Sequence, residues 1–209
     1  MVVYAIVPVK RLGASKRRLS QSLSPLERRA LTTAMLEDVL TALKHSVIEK
    51  VLVVSNDPKV RFIAQKFGAD FFSPIRRGLN FAVEEAFAWC MKNKASSVLV
   101  LPADIPLITP GDINNIIELG NKQNQVVLVP SRDFGTNAFY QCPPHLIPAF
   151  FGPESFYKHI QEALKKGICV KFYYSLGTGL DIDSPEDLQL LKNVLNNTLS
   201  KQVLKKLKK

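Results

Sequence analysis

Asp104 closes an almost wholly apolar run, VLVLPADIPL, and Asp181 and Asp183 stand two residues apart in GLDIDSPEDL. On an extended chain an i, i+2 pair projects from one side. Three carboxylates from two segments can then form a hard, all-oxygen site suited to Mg²⁺, which binds through a few carboxylates together with substrate oxygens. The opposite charge follows the first apolar run as Lys10, Arg11, Lys16, Arg17 and Arg18. Pro8 and Gly13 make that loop irregular, Lys10, Lys16 and Arg18 can offer charge to phosphates, and backbone N–H groups can complete the cradle. A single glycine there excludes both a P-loop and a dinucleotide fingerprint. Each feature also has a plain structural reading. The cations can form a solvated loop, Asp104 can be a cap, and Asp183 with Ser184 can prepare the helix that starts at Pro185.

The elements that must position these residues alternate along the chain. Strand-like runs lie at Val2–Val9, Lys50–Val54, Ser97–Leu101 and Val126–Pro130, with a weaker one at Asp70–Phe72. Between them, PLERRALTTAMLEDVLTALKH keeps Leu26, Ala30, Met35, Leu36, Val39, Leu40 and Leu43 at three- and four-residue spacings. GLNFAVEEAFAWCMKN does likewise with Phe81, Ala82, Ala86 and Trp89. This alternation predicts a parallel sheet with crossover helices, and in such sheets ligands collect beyond the carboxyl ends of the strands. Ser24-Pro25, Thr109-Pro110 and Ser184-Pro185, each with an acid two residues after the proline, predict three helix starts. After residue 130 the pattern becomes short strands, Asn137–Cys142 and Ile168–Tyr174, around a helix beginning near Pro153.

The 209 residues, 46% apolar, suit one α/β domain over residues 1–200 followed by a basic tail, 201–209. The net charge of +10 is local: residues 1–20 carry five Lys/Arg and no acid, residues 201–209 carry five Lys and no acid, and the remainder cancels. Such a local excess suits a small anion at one site rather than a uniform nucleic-acid surface. The tail is expected to be a solvated end, or else, through its lysines with Val203, Leu204 and Leu207, a short amphipathic helix end or a weak polyanion contact. Cys90, Cys142 and Cys169 are expected to be buried thiols, since their number and spacing fit neither a disulfide framework nor a metal cluster. No run approaches the roughly 18 apolar residues of a membrane span, so a cytoplasmic protein is expected.

The motifs, taken in order, are P-x-K at Pro8–Lys10, SKRRLS, LSPLERR, AMLEDVL, GLNFAV, LPADIPLI, GTNAF, FGPESFYKH and LDIDSPEDL. Together they resemble the archaeal 2-phospho-L-lactate guanylyltransferase family, which serves the biosynthesis of the deazaflavin coenzyme F420. Arg17 stands where that family usually has a small hydroxyl residue. The resemblance implies a three-layer α/β/α nucleotidyltransferase fold, Rossmann-like, with a mostly parallel mixed sheet. It further implies transfer of GMP from GTP to 2-phospho-L-lactate, giving lactyl-2-diphospho-5'-guanosine and pyrophosphate, with Mg²⁺ and a homodimer.

Carried over by position, Lys10, Lys16 and Asp104 stand at the reaction centre. Pro8, Lys10, Lys16 and Arg18 would border the GTP phosphates, and Gly78, Leu79 and Asn80 the guanine, although these three also read as a helix start. Thr136, Asn137, Gly152 and Ser155 would receive the acceptor, His159 would assist or serve structure alone, and Asp104, Asp181 and Asp183 would hold metal. The acceptor phosphate is already ionised, so attack on the α-phosphorus needs no general base, in keeping with only three histidines. Phosphoenolpyruvate is the alternative acceptor within the same fold. A non-catalytic nucleic-acid-binding protein is the alternative from another class, weakened by basic segments that contain no aromatics.

Overall fold

The computed structural model describes residues 1–12 and 16–207. Gly13, assigned above to the basic loop, and the last two tail lysines lie outside them. In chain order the elements are β1 (Val3–Pro8), a 3-10 turn (Arg17–Gln21), α1 (Pro25–Lys44), β2 (Lys50–Val54), α2 (Pro58–Lys66), β3 (Asp70–Phe72), α3 (Leu79–Lys92), β4 (Ser97–Val100) and α4 (Pro110–Leu119). They continue with β5 (Gln125–Pro130), β6 (Thr136–Cys142), α5 (Ser155–Lys165), β7 (Cys169–Phe172), α6 (Leu176–Gly179), α7 (Pro185–Asn193) and α8 (Leu199–Lys206).

The strands form one sheet in the order β3-β2-β1-β4-β6-β5-β7. Among the described strands only β6 runs antiparallel to its neighbours. The near-continuous apolar strands are what a sheet covered on both faces requires. One core packs Val7, Val53, Leu99 and Val127 against α1, α2 and α4. The other packs Ile6, Leu52, Val100 and Phe139 against α3 and α5. The expected three-layer architecture is therefore present. At Ser24, Thr109 and Ser184 the hydroxyl accepts the N3 amide and the N3 acid returns to the cap amide, so all three expected capping boxes form.

The expected stripes hold along most of α1, where Met35, Leu36, Val39, Leu40 and Leu43 are buried, and at Ala82 and Ala86 of α3, and fail at single positions. Leu26 lies in the first turn of α1 and is exposed. On α3 the buried face is Ala82, Val83, Ala86, Phe87 and Cys90, leaving Phe81 exposed under the Arg76 guanidinium at 4.6 Å. That helix is apolar around most of its circumference, so spacing alone could not select its phase. Cys90 and Cys142 are buried as expected, but Cys169 is exposed, because β7 is a sheet edge.

A third apolar cluster joins Leu19 and Leu23 to Leu31 and Met35 of α1, to Leu180 and Ile182, and to α7 and α8. The boundary expected at residue 200 falls inside α8, and a solvated tail is not what forms. Leu204 is fully buried, Asp38 accepts the Leu199 and Ser200 amides, and the Lys201 ammonium turns inward onto the Val194 carbonyl. Burying one such leucine is worth about 1.5–3 kcal/mol, enough to dock a helix whose apolar residues recur at helical spacing.

Candidate active site

The carboxyl ends of β1, β2, β3, β4, β5 and β7 share one edge of the sheet, and the reversed β6 brings its amino end, Thr136, to the same edge. Asp104 follows β4 there. The Ile182 amide donates to the Asp104 carbonyl at 3.0 Å, which lays residues 180–183 alongside the loop after β4. Ile182 is sunk in the third apolar cluster, so Asp181 and Asp183 flank it on the other side, as their spacing required. The helix-preparing role also stands for Ser184, which caps α7, while Asp187 rather than Asp183 supplies the acid by accepting the Asp183 and Ser184 amides.

Lys16 completes this cluster. Its ammonium donates to Asp104 Oδ2 at 2.8 Å and to Asp183 Oδ1 at 2.5 Å. Its side chain is 6% exposed, against 33% for Asp104 and 42% for Asp183. Burial pulls the Lys16 pKa down, but the two carboxylates together outweigh it and leave it above the ordinary lysine value. Asp181 is held above the usual carboxylate range, first by burial and then by the nearby Asp104 charge, with an Asn137 hydrogen bond in partial compensation. As they stand, the described residues offer no group of three carboxylate, imidazole or thiol side chains arranged to hold a metal ion. The ammonium lies between two of the three expected ligands. The donor set nonetheless fits a hard divalent cation in its chemistry: it is all oxygen, carries excess negative charge, and already binds a cation.

The other expected residues divide. Lys10 and Arg18 are exposed at this edge, with Arg18 close enough to help lower the Asp133 pKa after a hydrogen bond from Ser131; only Lys16 joins the carboxylates. Gly78 has φ +113°, a conformation that side chains disfavour, and opens α3 with no side-chain cap. The Asn80 amide nitrogen donates to the Phe151 carbonyl at 3.1 Å, while its Oδ1 is buried without a partner. Its free function is therefore that of an acceptor.

Thr136 and Ser155 meet, Oγ1 to Oγ, at 3.0 Å, with His159 Nδ1 3.1 Å from the threonine. Gly152 stands open at φ +129°. The start of α5 is less free than its sequence implied, because the Ser155 and Phe156 amides donate to Gly152 and Phe134. Glu154, at the N-cap just before that helix, is exposed.

The structure does not bring Asn137 to this hydroxyl pair. Neighbours on a strand face opposite sides of the sheet. Thr136 therefore faces α5, while the Asn137 amide donates to the Thr178 carbonyl at 3.0 Å and to Asp181 Oδ1 at 3.3 Å.

Arg132 was missed in the sequence. Its guanidinium pairs with Asp187, and Asp181 lies near enough to add to the rise in its pKa after Asp187. The available signal was its position two residues after β5. A cleft of about 500 Å³ lined by Asn115, Leu119, Lys171 and Tyr173 lies between α4 and β7 and contains none of these residues.

The family model described as "Guanylyl transferase CofC like" matches residues 3–209. A phosphoenolpyruvate guanylyltransferase of Rubrobacter xylanophilus is 40% identical over 193 residues, covering 92% of this chain and 94% of that protein. A 2-phospho-L-lactate guanylyltransferase of Methanothermobacter thermautotrophicus is 36% identical over 209 residues, covering 100% of this chain and 92% of that protein. Among solved structures, a nucleotidyl transferase from the same organism superposes with a TM-score of 0.72 at 13% identity, covering 92% of this chain and 96% of that one. A 4-diphosphocytidyl-2C-methyl-D-erythritol synthase gives 0.61 at 13% identity, covering 93% and 98%. These two likenesses concern the fold alone.

Proposed function

The chain belongs to the CofC-like guanylyl transferase family, and from that premise we propose that it transfers GMP from GTP to a three-carbon acid phosphorylated at C2, releasing pyrophosphate, in coenzyme F420 biosynthesis. The acceptor is 2-phospho-L-lactate, with phosphoenolpyruvate as the second reading, supported by the Rubrobacter relative's name. The two acids share the phosphate and the carboxylate and differ in the C2–C3 bond, single in phospholactate and double in phosphoenolpyruvate.

The observation that carries the proposal is the buried Lys16 ammonium held between Asp104 and Asp183 at the edge where β6 presents Thr136. This chemistry joins two anions. The acceptor phosphate oxygen attacks the α-phosphorus, the bond to the bridging oxygen breaks, and pyrophosphate leaves with the electron pair. No proton has to be removed from the nucleophile. The protein's part is to align the reactants and to oppose developing charge.

In this reading Lys10, Lys16 and Arg18 bind the triphosphate, and Pro8 ends β1 beneath it. Gly78 and Leu79 leave the start of α3 bare beside the base, and Asn80, whose amide nitrogen holds the Phe151 carbonyl, borders the guanine. Thr136, Gly152 and Ser155 bind the acid. Asp104, Asp181 and Asp183 would hold Mg²⁺, which when bound supplies neutralisation of phosphate charge. Asn137 orients Asp181 from behind.

The test is pyrophosphate release from purified protein with Mg²⁺, each NTP in turn and each of the two acids. Release only with GTP plus one acid is expected. Release that does not depend on either acid removes the proposal. Asp104→Asn is expected to abolish turnover while the protein remains folded.

A further inference from the structure

His159 is fully buried and takes no part in the reading above. The Phe150 amide donates to its Nε2 at 3.0 Å, so that nitrogen carries a lone pair rather than a proton. Burial lowers its pKa to about 4, which keeps the ring neutral at pH 7. Its single proton is then on Nδ1 and is donated to Thr136 Oγ1 at 3.1 Å. The ring cannot easily turn over, because it stacks on Phe139 at 4.5 Å and 27° and meets the edge of Phe151 at 5.5 Å.

Thr136 and Ser155 together own two hydroxyl hydrogens, and one of them fills the 3.0 Å bond between the pair. With Thr136 already accepting from the imidazole, the other hydrogen has no acceptor among the described residues. A buried pair left with one surplus donor is matched by an anionic oxygen and mismatched to a donor.

We infer that His159 is a positioning residue that fixes the donor sense of the Thr136–Ser155 pair, so that the pair presents one hydroxyl hydrogen to a carboxylate or phosphate oxygen of the acceptor. The inference rests on the assignment of Thr136 and Ser155 to the acceptor side. The nucleotide plays no part in this contact, so the effect of His159 falls on the acid alone.

Three measurements test it. In wild-type protein, ¹⁵N NMR of the imidazole should find Nε2 unprotonated and Nδ1 protonated; the opposite tautomer overturns the inference without reference to any variant. His159→Leu should raise the acceptor KM about tenfold, the scale of one lost hydrogen bond to a charged group, with the GTP KM unchanged. His159→Asn places an amide N–H near the Nδ1 position and should recover most of that loss. Equal changes in both KM values, or failure of Asn to recover more than Leu, would show a merely structural ring and overturn the inference. Thr136→Val tests the underlying assignment separately: an unchanged acceptor KM there removes the pocket, whatever tautomer NMR finds.

Discussion

Replacing Lys16 with Met keeps most of the buried stem and removes the charge. Removing one member of a buried ion pair costs about 3–5 kcal/mol, because a charge is left without its partner. Here the ammonium is buried, but Asp104 is 33% and Asp183 42% exposed, so water screens the abandoned carboxylates and the penalty moves toward the small values of surface pairs. About 2 kcal/mol is expected. For a domain of this size that corresponds to a fall in Tm of roughly 4–8 °C. The cluster left behind is three carboxylates without a cation, so Mg²⁺ should bind the variant in the absence of nucleotide. At ten times its Kd the ion returns about 1.4 kcal/mol by mass action. Calorimetric melts in EDTA and in rising Mg²⁺ provide the assay. The variant should melt below the wild type in EDTA and recover most of the difference with Mg²⁺, while the wild type, its carboxylates already paired, responds little. A variant that melts at the wild-type temperature in EDTA, or that ignores Mg²⁺, refutes the reasoning.

Further outcomes follow from the same geometry. Asp181→Asn should abolish turnover yet raise Tm: an aspartate whose folded pKa is raised is costly when ionised at neutral pH, and that cost starts to fall as pH drops through the folded pKa and is gone below the ordinary value of 3.8. His159 has the opposite sign, since its folded pKa of about 4 lies below the ordinary 6.5. The stability it contributes is complete above pH 6.5 and lost as pH falls toward 4, about 3 kcal/mol in all, and denaturant unfolding at stepped pH should show His159→Asn losing less than wild type. Leu204→Ala should cost 2–5 kcal/mol in the same assay, with kcat and KM unchanged below the melt. Gly78→Ala should raise the GTP KM and lower Tm, since φ +113° is strained for any side chain.

The parts of this fold that local chemistry dictates could be read from the chain. Ser24, Thr109 and Ser184 announce helix starts because a hydroxyl, a proline and an acid act within four residues. The apolar strands announce a doubly covered sheet, and the i, i+2 pair at Asp181 and Asp183 announces a shared side. What stayed hidden depends on distant partners. Nothing in the neighbourhood of Lys16 says that its ammonium will settle on carboxylates 88 and 167 residues away. Asn137 could be placed beside Thr136 in sequence, but the pleat, visible only once β6 is paired, sends it to the other face. The same holds for the tail: its five lysines advertise solvent, while the leucine that docks it is legible only against α1.

β6 alone among the described strands is reversed, and this gives the two sides of the site different room for change. Its first residue, Thr136, is paired with Pro130 in the ladder, so whatever β6 contributes is fixed to the sheet. The segments after β1 and β3 that carry Lys10, Lys16 and Gly78 are connections, where added length costs little. Diversification of such a scaffold should therefore follow two routes. On the proposed assignment, insertions after β1 and β3 would retune the nucleotide, whereas preference for the acid would shift only by exchanging single side chains at positions 136, 155 and 159, with the backbone left as it is.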